Sequence, residues 1–145
     1  MDIVSACLVG APCRYDGKGC SDDLAVRLFL EGEVLPVCPE VLGGLCTPRV
    51  PCEIVSGTGD DVLQGYTAVH DASGNDITKE FLAGAKRTLD LCRAVGAKKA
   101  YLKSQSPSCG CEMIHDGSFT GKLRQGIGVT AALLRREGIE VIETG

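Results

Sequence analysis

The chain has 145 residues, 44% hydrophobic and 23% charged, with a net charge of -4 and a pI near 5.1. That is enough for one domain over residues 1–145 that buries roughly 68% of its unfolded surface. It leaves no basic stripe, no Trp and only six Phe and Tyr residues for a nucleic acid to use, so a small-molecule partner is expected.

The nine cysteines are an odd number and too sparse for a disulfide scaffold. The chain starts Met1-Asp2 with no basic segment, and its first apolar stretch is broken by Pro12. Neither a signal peptide nor a membrane span is expected, which places the chain in the cytoplasm, where clustered cysteines bind metal or do chemistry.

In chain order, strand-like and helical segments alternate. Asp2 to Ala6 reads as a strand, followed by a Gly/Pro/Asp loop from Gly10 to Ser21. The end of that loop can cap a short helix over Asp22–Glu31, closed by Gly32, and Val34–Val37 completes a βαβ unit. The stretch around residues 43–74 reads as a loop or hairpin insertion with short strands at Glu53–Val55 and Gly65–Asp71. Thr78 is expected to cap a helix over Lys79–Val95, where Phe81, Ala85, Leu89 and Cys92 recur at helical spacing before Gly96. A strand through Ala100–Leu102, a helix over Val129–Glu137 and a strand over Ile139–Ile142 follow. This order predicts an α/β fold: a doubly wound, Rossmann-like three-layer sandwich.

Three cysteines follow strand-like runs: Cys7 after the first, Cys38 after Val34–Val37, and Cys109 after Ala100–Leu102. In an open α/β sheet the carboxyl ends of strands form one ligand-binding rim, so these thiols can converge, and a metal centre is the expected object. Cys92 lies on an apolar helix face and reads as core. Cys13, Cys20, Cys46, Cys52 and Cys111 lie in loops and read as filler or spare ligands. No C-x-x-C occurs, which speaks against a zinc ribbon, a thioredoxin-like pair and a ferredoxin-type run. Ligands scattered singly suit a cluster assembled by the fold, and three thiolates on a 4Fe-4S cluster leave one iron open.

Several motifs then carry a resemblance: Ser5-Ala6-Cys7-Leu8-Val9-Gly10, Cys13-Arg14-Tyr15-Asp16-Gly17, Pro36 to Leu45, Thr47-Pro48-Arg49, Lys103 to Gly110, and Gly128 to Leu134. Together they resemble a bacterial family long labelled a domain of unknown function, whose characterised relatives are thiouracil desulfidases. The resemblance implies a 4Fe-4S enzyme that removes sulfur from thiouracil-type bases, with Cys7, Cys38 and Cys109 as cluster ligands. It also implies a free thiolated nucleobase or nucleoside as partner, because relatives acting on thiolated tRNA carry a further domain. A monomer or homodimer is expected. Cys46 and Cys52 depart from the pattern, standing where relatives carry a small residue or Pro and an Ala.

The chemistry follows from residue types. Turning C=S into C=O needs attack by water, stabilisation of charge on sulfur and an exit for sulfide; an open iron, a soft Lewis acid, serves the last two. Glu40, two residues after Cys38, is the expected base and proton donor. Ser104 and Ser106 are candidates to hydrogen-bond the substrate, or to cap their own turn. Arg14, Arg49 and Lys103 are candidates for substrate contact or loop bracing, and His70 and His115 read as surface residues. Gly126-Ile127-Gly128 reads as a helix entry. Two other classes stay open: a non-catalytic metal or iron-sulfur module with Cys13, Cys46 or Cys111 as fourth ligand, and a metal-free thiol enzyme using Cys13 or Cys7.

Overall fold

In chain order the elements are β1 (Asp2–Ser5), a 3-10 turn (Ala6–Val9), α1 (Asp23–Leu30), β2 (Val34–Val37), α2 (Pro39–Leu42), β3 (Cys52–Ile54), α3 (Gly59–Gln64) and β4 (Val69–Asp71). They continue with α4 (Thr78–Val95), β5 (Lys99–Lys103), β6 (Met113–His115), β7 (Leu123–Gln125), α5 (Val129–Arg136) and β8 (Glu140–Thr144). The structure is a computed structural model and describes residues 1–145.

Four strands form a wholly parallel sheet in the order β2-β1-β5-β8. Side chains alternate across it, as strand geometry requires. Val4 and Val34 pack with Ala25 of α1 on one face, while Ile3, Ala100 and Leu102 pack with Leu89 and Cys92 of α4 and Ala131 and Leu134 of α5 on the other. This is the three-layer, doubly wound arrangement expected from the sequence, and the connections turn from one face to the other between β1 and β5. Pro36 is tolerated in β2 because β2 is an edge strand.

Several local expectations need correction. Asp22, not the loop end at Ser21, caps α1, its carboxylate accepting from the Ala25 amide at 3.1 Å. Thr78 is the first residue of α4 rather than its cap: its own amide and hydroxyl donate to Asp76 Oδ1, and its oxygen accepts from the Val69 amide at 2.9 Å, tying α4 to β4. The 43–74 insertion contains a helix, α3, whose C-terminal Gly65 is left-handed, so the expected strand from Gly65 begins only at Val69. β3 and β4 pair antiparallel, as do β6 and β7, a ribbon without a counterpart in the sequence reading.

The packing of α2 against α4 fixes where a thiol and a carboxyl can stand, because α2 begins directly after Cys38 and carries Glu40. Two glycines make the contact possible: a Cβ on Gly43 would lie 2.1 Å from the Glu80 carbonyl oxygen, and one on Gly84 would lie 2.0 Å from that of Pro39. Neither backbone has a positive φ, so the requirement is for space alone. Gly84→Ala is expected to push α2 off α4 and cost about 1–3 kcal/mol, the usual range for overpacking, despite Ala's better helix propensity. Urea denaturation of the metal-free protein reads this directly; an unchanged or raised midpoint would refute the contact.

Candidate active site

The carboxyl ends of β1, β2 and β5 meet where the sheet's connections reverse, the position at which open α/β sheets bind ligands. Past Val4 and Tyr101 the ladder between β1 and β5 ends, and the Ser5 hydroxyl bridges the gap by accepting from the Lys103 amide at 3.0 Å. A cavity of about 390 Å3 opens at this point. Cys7, Cys38, Cys109, Glu40, Ser104 and Ser106 all line it, so the structure brings together the whole set expected from the sequence.

Each segment reaches the cavity for a local reason. Cys7 sits in the 3-10 turn that ends β1, and its carbonyl accepts from the amides of Gly10 and Cys20, which folds the 10–21 loop back over it. Cys38 is the N-terminal flanking residue of α2, followed by Pro39 at a position where a missing amide costs nothing. Cys109 lies six residues beyond β5, in a turn whose Ser106 hydroxyl accepts from the Ser108 and Cys109 amides, both at 3.1 Å. That turn is pressed onto the start of α5: Ser108 and Thr130 hydroxyls meet at 2.7 Å, and a Cβ on Gly128 would lie 2.6 Å from the Ser108 carbonyl. Gly126-Ile127-Gly128 is thus the helix entry expected.

The structure adds residues that the sequence reading set aside. Cys13, read as loop filler, lines the cavity, its carbonyl accepting from the Cys38 thiol at 3.9 Å, so a fourth thiol stands beside the group. Cys52 is not in a loop but opens β3, buried, at the cavity edge beside Glu40 and Arg49. His115 is no surface residue; it ends β6 and lines the cavity, with its Nδ1 buried and unpartnered. Its signal was absent because three-residue strands show no periodicity. Ser104 lines the cavity too, but its hydroxyl donates to the Gly145 carbonyl and accepts from Lys103 Nζ at 3.1 Å. Cys20, Cys46, Cys92 and Cys111 do not line the cavity, and Cys92 is core as expected.

Burial governs the electrostatics. It drives the Cys109 thiol up to about 12 against the opposing Ser5 hydrogen bond, with the nearby Cys38 and Glu40 adding to the rise, and it drives Cys52 to about 12 as well. Cys38 rises because it donates toward Cys13 and is buried, with the Val41 amide opposing. Cys13 rises too: its bond from Cys38 lowers it, but its bond with Cys7, burial and Cys7's charge outweigh that. Grouped thiolates therefore destabilise one another until a cation joins them, and thiolate donors suit iron-sulfur and other soft metal centres. The donor set fits such a centre. Cys7, Cys13, Cys38 and Cys109 line the cavity, and no three His, Cys, Asp or Glu side chains close on a single-ion site.

Glu40 is likewise raised, chiefly by burial; Arg49's charge and hydrogen bond and the neighbouring Ser106 hold it down only in part. The Arg49 Nε to Glu40 Oε1 distance is 3.1 Å, with only 8% and 15% of the two side chains exposed. Arg49 Nη1 also donates to the Cys13 carbonyl at 3.0 Å and the Cys46 carbonyl at 3.3 Å. These bonds are the loop bracing expected of Arg49, which also lines the cavity.

Fold and site together define an α/β protein that gathers soft ligands and a buried carboxyl at the switch point of its sheet. The chain belongs to the 2-thiouracil desulfurase family, whose model matches residues 3–144. It is 45% identical over 142 residues to the uncharacterised protein YbbK of Bacillus subtilis (strain 168), covering 98% of this chain and 94% of that one. It also resembles the solved structure of the 4Fe-4S-dependent thiouracil desulfidase TudS, with a TM-score of 0.85 and 46% identity, over 98% of this chain and 89% of that one. The family expected from the motifs is the one found.

Removing Arg49 strands a buried carboxylate and two carbonyls. Arg49→Met is expected to cost about 3–5 kcal/mol, as when one partner of a buried ion pair is deleted. Adding Glu40→Gln to it should recover part of the loss in urea denaturation; strict additivity of the two substitutions would disprove the coupling.

Proposed function

We propose that this chain converts the thiocarbonyl of a small thiopyrimidine to a carbonyl with release of sulfide, using a 4Fe-4S cluster held by Cys7, Cys38 and Cys109. The observation that carries the reading is the meeting of these thiols with one buried carboxyl on a single cavity of about 390 Å3. That volume suits a nucleobase better than a polymer, being at the small end of the roughly 300–1,000 Å3 of small-molecule sites. Membership of the 2-thiouracil desulfurase family and the likeness to TudS support the same cofactor and substrate class.

When bound, a cluster with three protein ligands supplies an iron open to a soft donor such as the substrate's sulfur. The reaction balances without electron transfer: C=S and water give C=O and hydrogen sulfide. Glu40 takes the proton from the attacking water and returns it to the leaving sulfur. Arg49 occupies its Oε1, which assigns the proton exchange to Oε2. The raised pKa suits both steps, because a base closer to neutrality holds the proton long enough to return it. Ser106 lies against Glu40 while its oxygen accepts the two amides that shape the Cys109 turn, so it orients both groups. Ser104 lines the same cavity and is assigned to substrate orientation.

One observation favours a second reading. Cys13 stands among the other thiols, and a chain in which it completed the metal's coordination would be a binding module without an open iron.

Anaerobic reconstitution with iron and sulfide, followed by sulfide release from 2-thiouracil, separates the two. A brown protein that releases sulfide, keeps doing so as Cys13→Ser and fails as Cys109→Ser, is expected; iron binding without sulfide release would favour the module. Glu40→Gln should keep the cluster absorbance and lower kcat by roughly 10^2 to 10^4, the usual range for a general base. The base works deprotonated, so kcat of the wild type should fall as pH drops through an apparent pKa above 4.5, and Glu40→Gln should lose that limb. A profile flat down to pH 4.5, with cluster absorbance intact, would remove Glu40 from the role.

A further inference from the structure

The cavity has a second wall that the proposed sulfur chemistry does not use. It comes from the β6–β7 ribbon, which supplies His115, Phe119 and Gly121. Phe119 has φ +56°, in the left-handed region that residues with a Cβ seldom occupy. Such strain persists only where the surroundings impose it, and it gathers at ligand sites.

Two features impose it here. Glu53, buried on β3, accepts the Gly117 amide at 2.9 Å and the Phe119 amide at 3.2 Å on one carboxylate oxygen. Gly117, at φ +93°, lies so close to β3 that a Cβ would sit 2.3 Å from the Val55 carbonyl oxygen. The ring so positioned does not repay this by joining the core, because Phe119 stays 37% exposed, at the cavity. Beside it His115 Nδ1 is the one buried side-chain nitrogen or oxygen without a hydrogen-bond partner, and buried polar groups are almost always paired.

We propose that this wall recognises the heterocycle: Phe119 stacks on the flat face of the pyrimidine, His115 is the polar group beside its edge, and Glu53 is a positioning residue that holds the Phe119 turn. The inference rests on the cavity being the thiopyrimidine site proposed above, and it narrows the ligand to a planar, unsaturated six-membered ring. Base–aromatic stacking is indifferent to which ring carbon carries the sulfur, so 2-thio and 4-thio compounds should both be held.

The test pairs equilibrium binding with turnover in the reconstituted protein. Uracil and 2-thiouracil are the ligands, and dihydrouracil, whose saturated ring is puckered but keeps the same carbonyl and NH groups, is the control. Phe119→Ala is expected to raise the Kd for uracil and the KM for 2-thiouracil roughly tenfold or more, with a smaller change in kcat and unaltered iron content. Phe119→Tyr should restore both, dihydrouracil should bind weakly to every variant, and Glu53→Leu should match Phe119→Ala. Values for Phe119→Ala within twofold of wild type, or equal binding of dihydrouracil and uracil to wild type, would overturn the inference while leaving sulfide release untouched. Wild type that binds uracil in a Phe119-dependent way but releases no sulfide would uphold the wall and refute the desulfidase reading. Wild type that binds neither pyrimidine would refute the wall.

Discussion

The Arg49 guanidinium divides its donors among three segments: the Glu40 carboxylate after β2, the Cys13 carbonyl in the loop after β1, and the Cys46 carbonyl and Thr47 hydroxyl in its own turn. Its planar fork suits this, since several donors in fixed directions can serve several acceptors at once where an ammonium would act as a point charge. The bonds to Glu40 and Cys13 are shielded from solvent while those to Cys46 and Thr47 are exposed, so the energy rests chiefly on the first two. Cys13 is held near Cys7 and Cys38 by the same group that holds Glu40. Thiol wall and buried carboxyl are therefore parts of one network.

That network sets two tendencies against each other. Packing favours burial of the strand ends, because the parallel sheet is covered on both faces and its apolar residues meet α1 on one side and α4 and α5 on the other. Ionisation opposes it: burial pushes Cys52, Cys109 and Glu40 toward their neutral forms, and the close thiols resist each other's charge. Arg49 compensates part of this for Glu40 but lies too far down the network to do so for every thiol. Neutral thiols meet the cost by staying protonated, and a positively charged metal core among them would meet it with the thiolates instead, releasing their protons.

Much of this was legible because it rests on local signals that agree with the global fold. The apolar runs Ile3-Val4 and Ala100-Tyr101-Leu102 gave the central strands, the spacing of Phe81, Ala85, Leu89 and Cys92 gave α4, and strand-end placement gave Cys7, Cys38 and Cys109. What escaped depends on partners distant in sequence. β6 and β7 are three residues each and alternate too briefly to register; their pairing, the Glu53 contact and the burial of Ile114 against distant residues make them structure. Cys13 sits in a glycine-bounded loop, and nothing local says that Arg49, 36 residues away, will fold it toward Cys38. α3 was different, since Thr58 and Asp61 form a reciprocal capping box whose T-x-x-D pattern stands in the sequence.

The two walls of the cavity differ in construction. The thiol wall grows from the central sheet, from α2 fixed to α4 by two glycine contacts, and from a turn locked onto α5. The facing wall is a two-stranded ribbon of short strands outside that sheet, held by the Glu53 carboxylate, a close backbone contact at Gly117, a bridge from Ile114 to Gln105 and the fully buried Ile114 side chain. Two-stranded pairs are marginal by themselves, so the ribbon takes its shape from these anchors and not from its own pairing. A thiol wall built from the sheet and an aromatic wall built from a separately anchored ribbon thus share one small cavity, each fixed by contacts of its own.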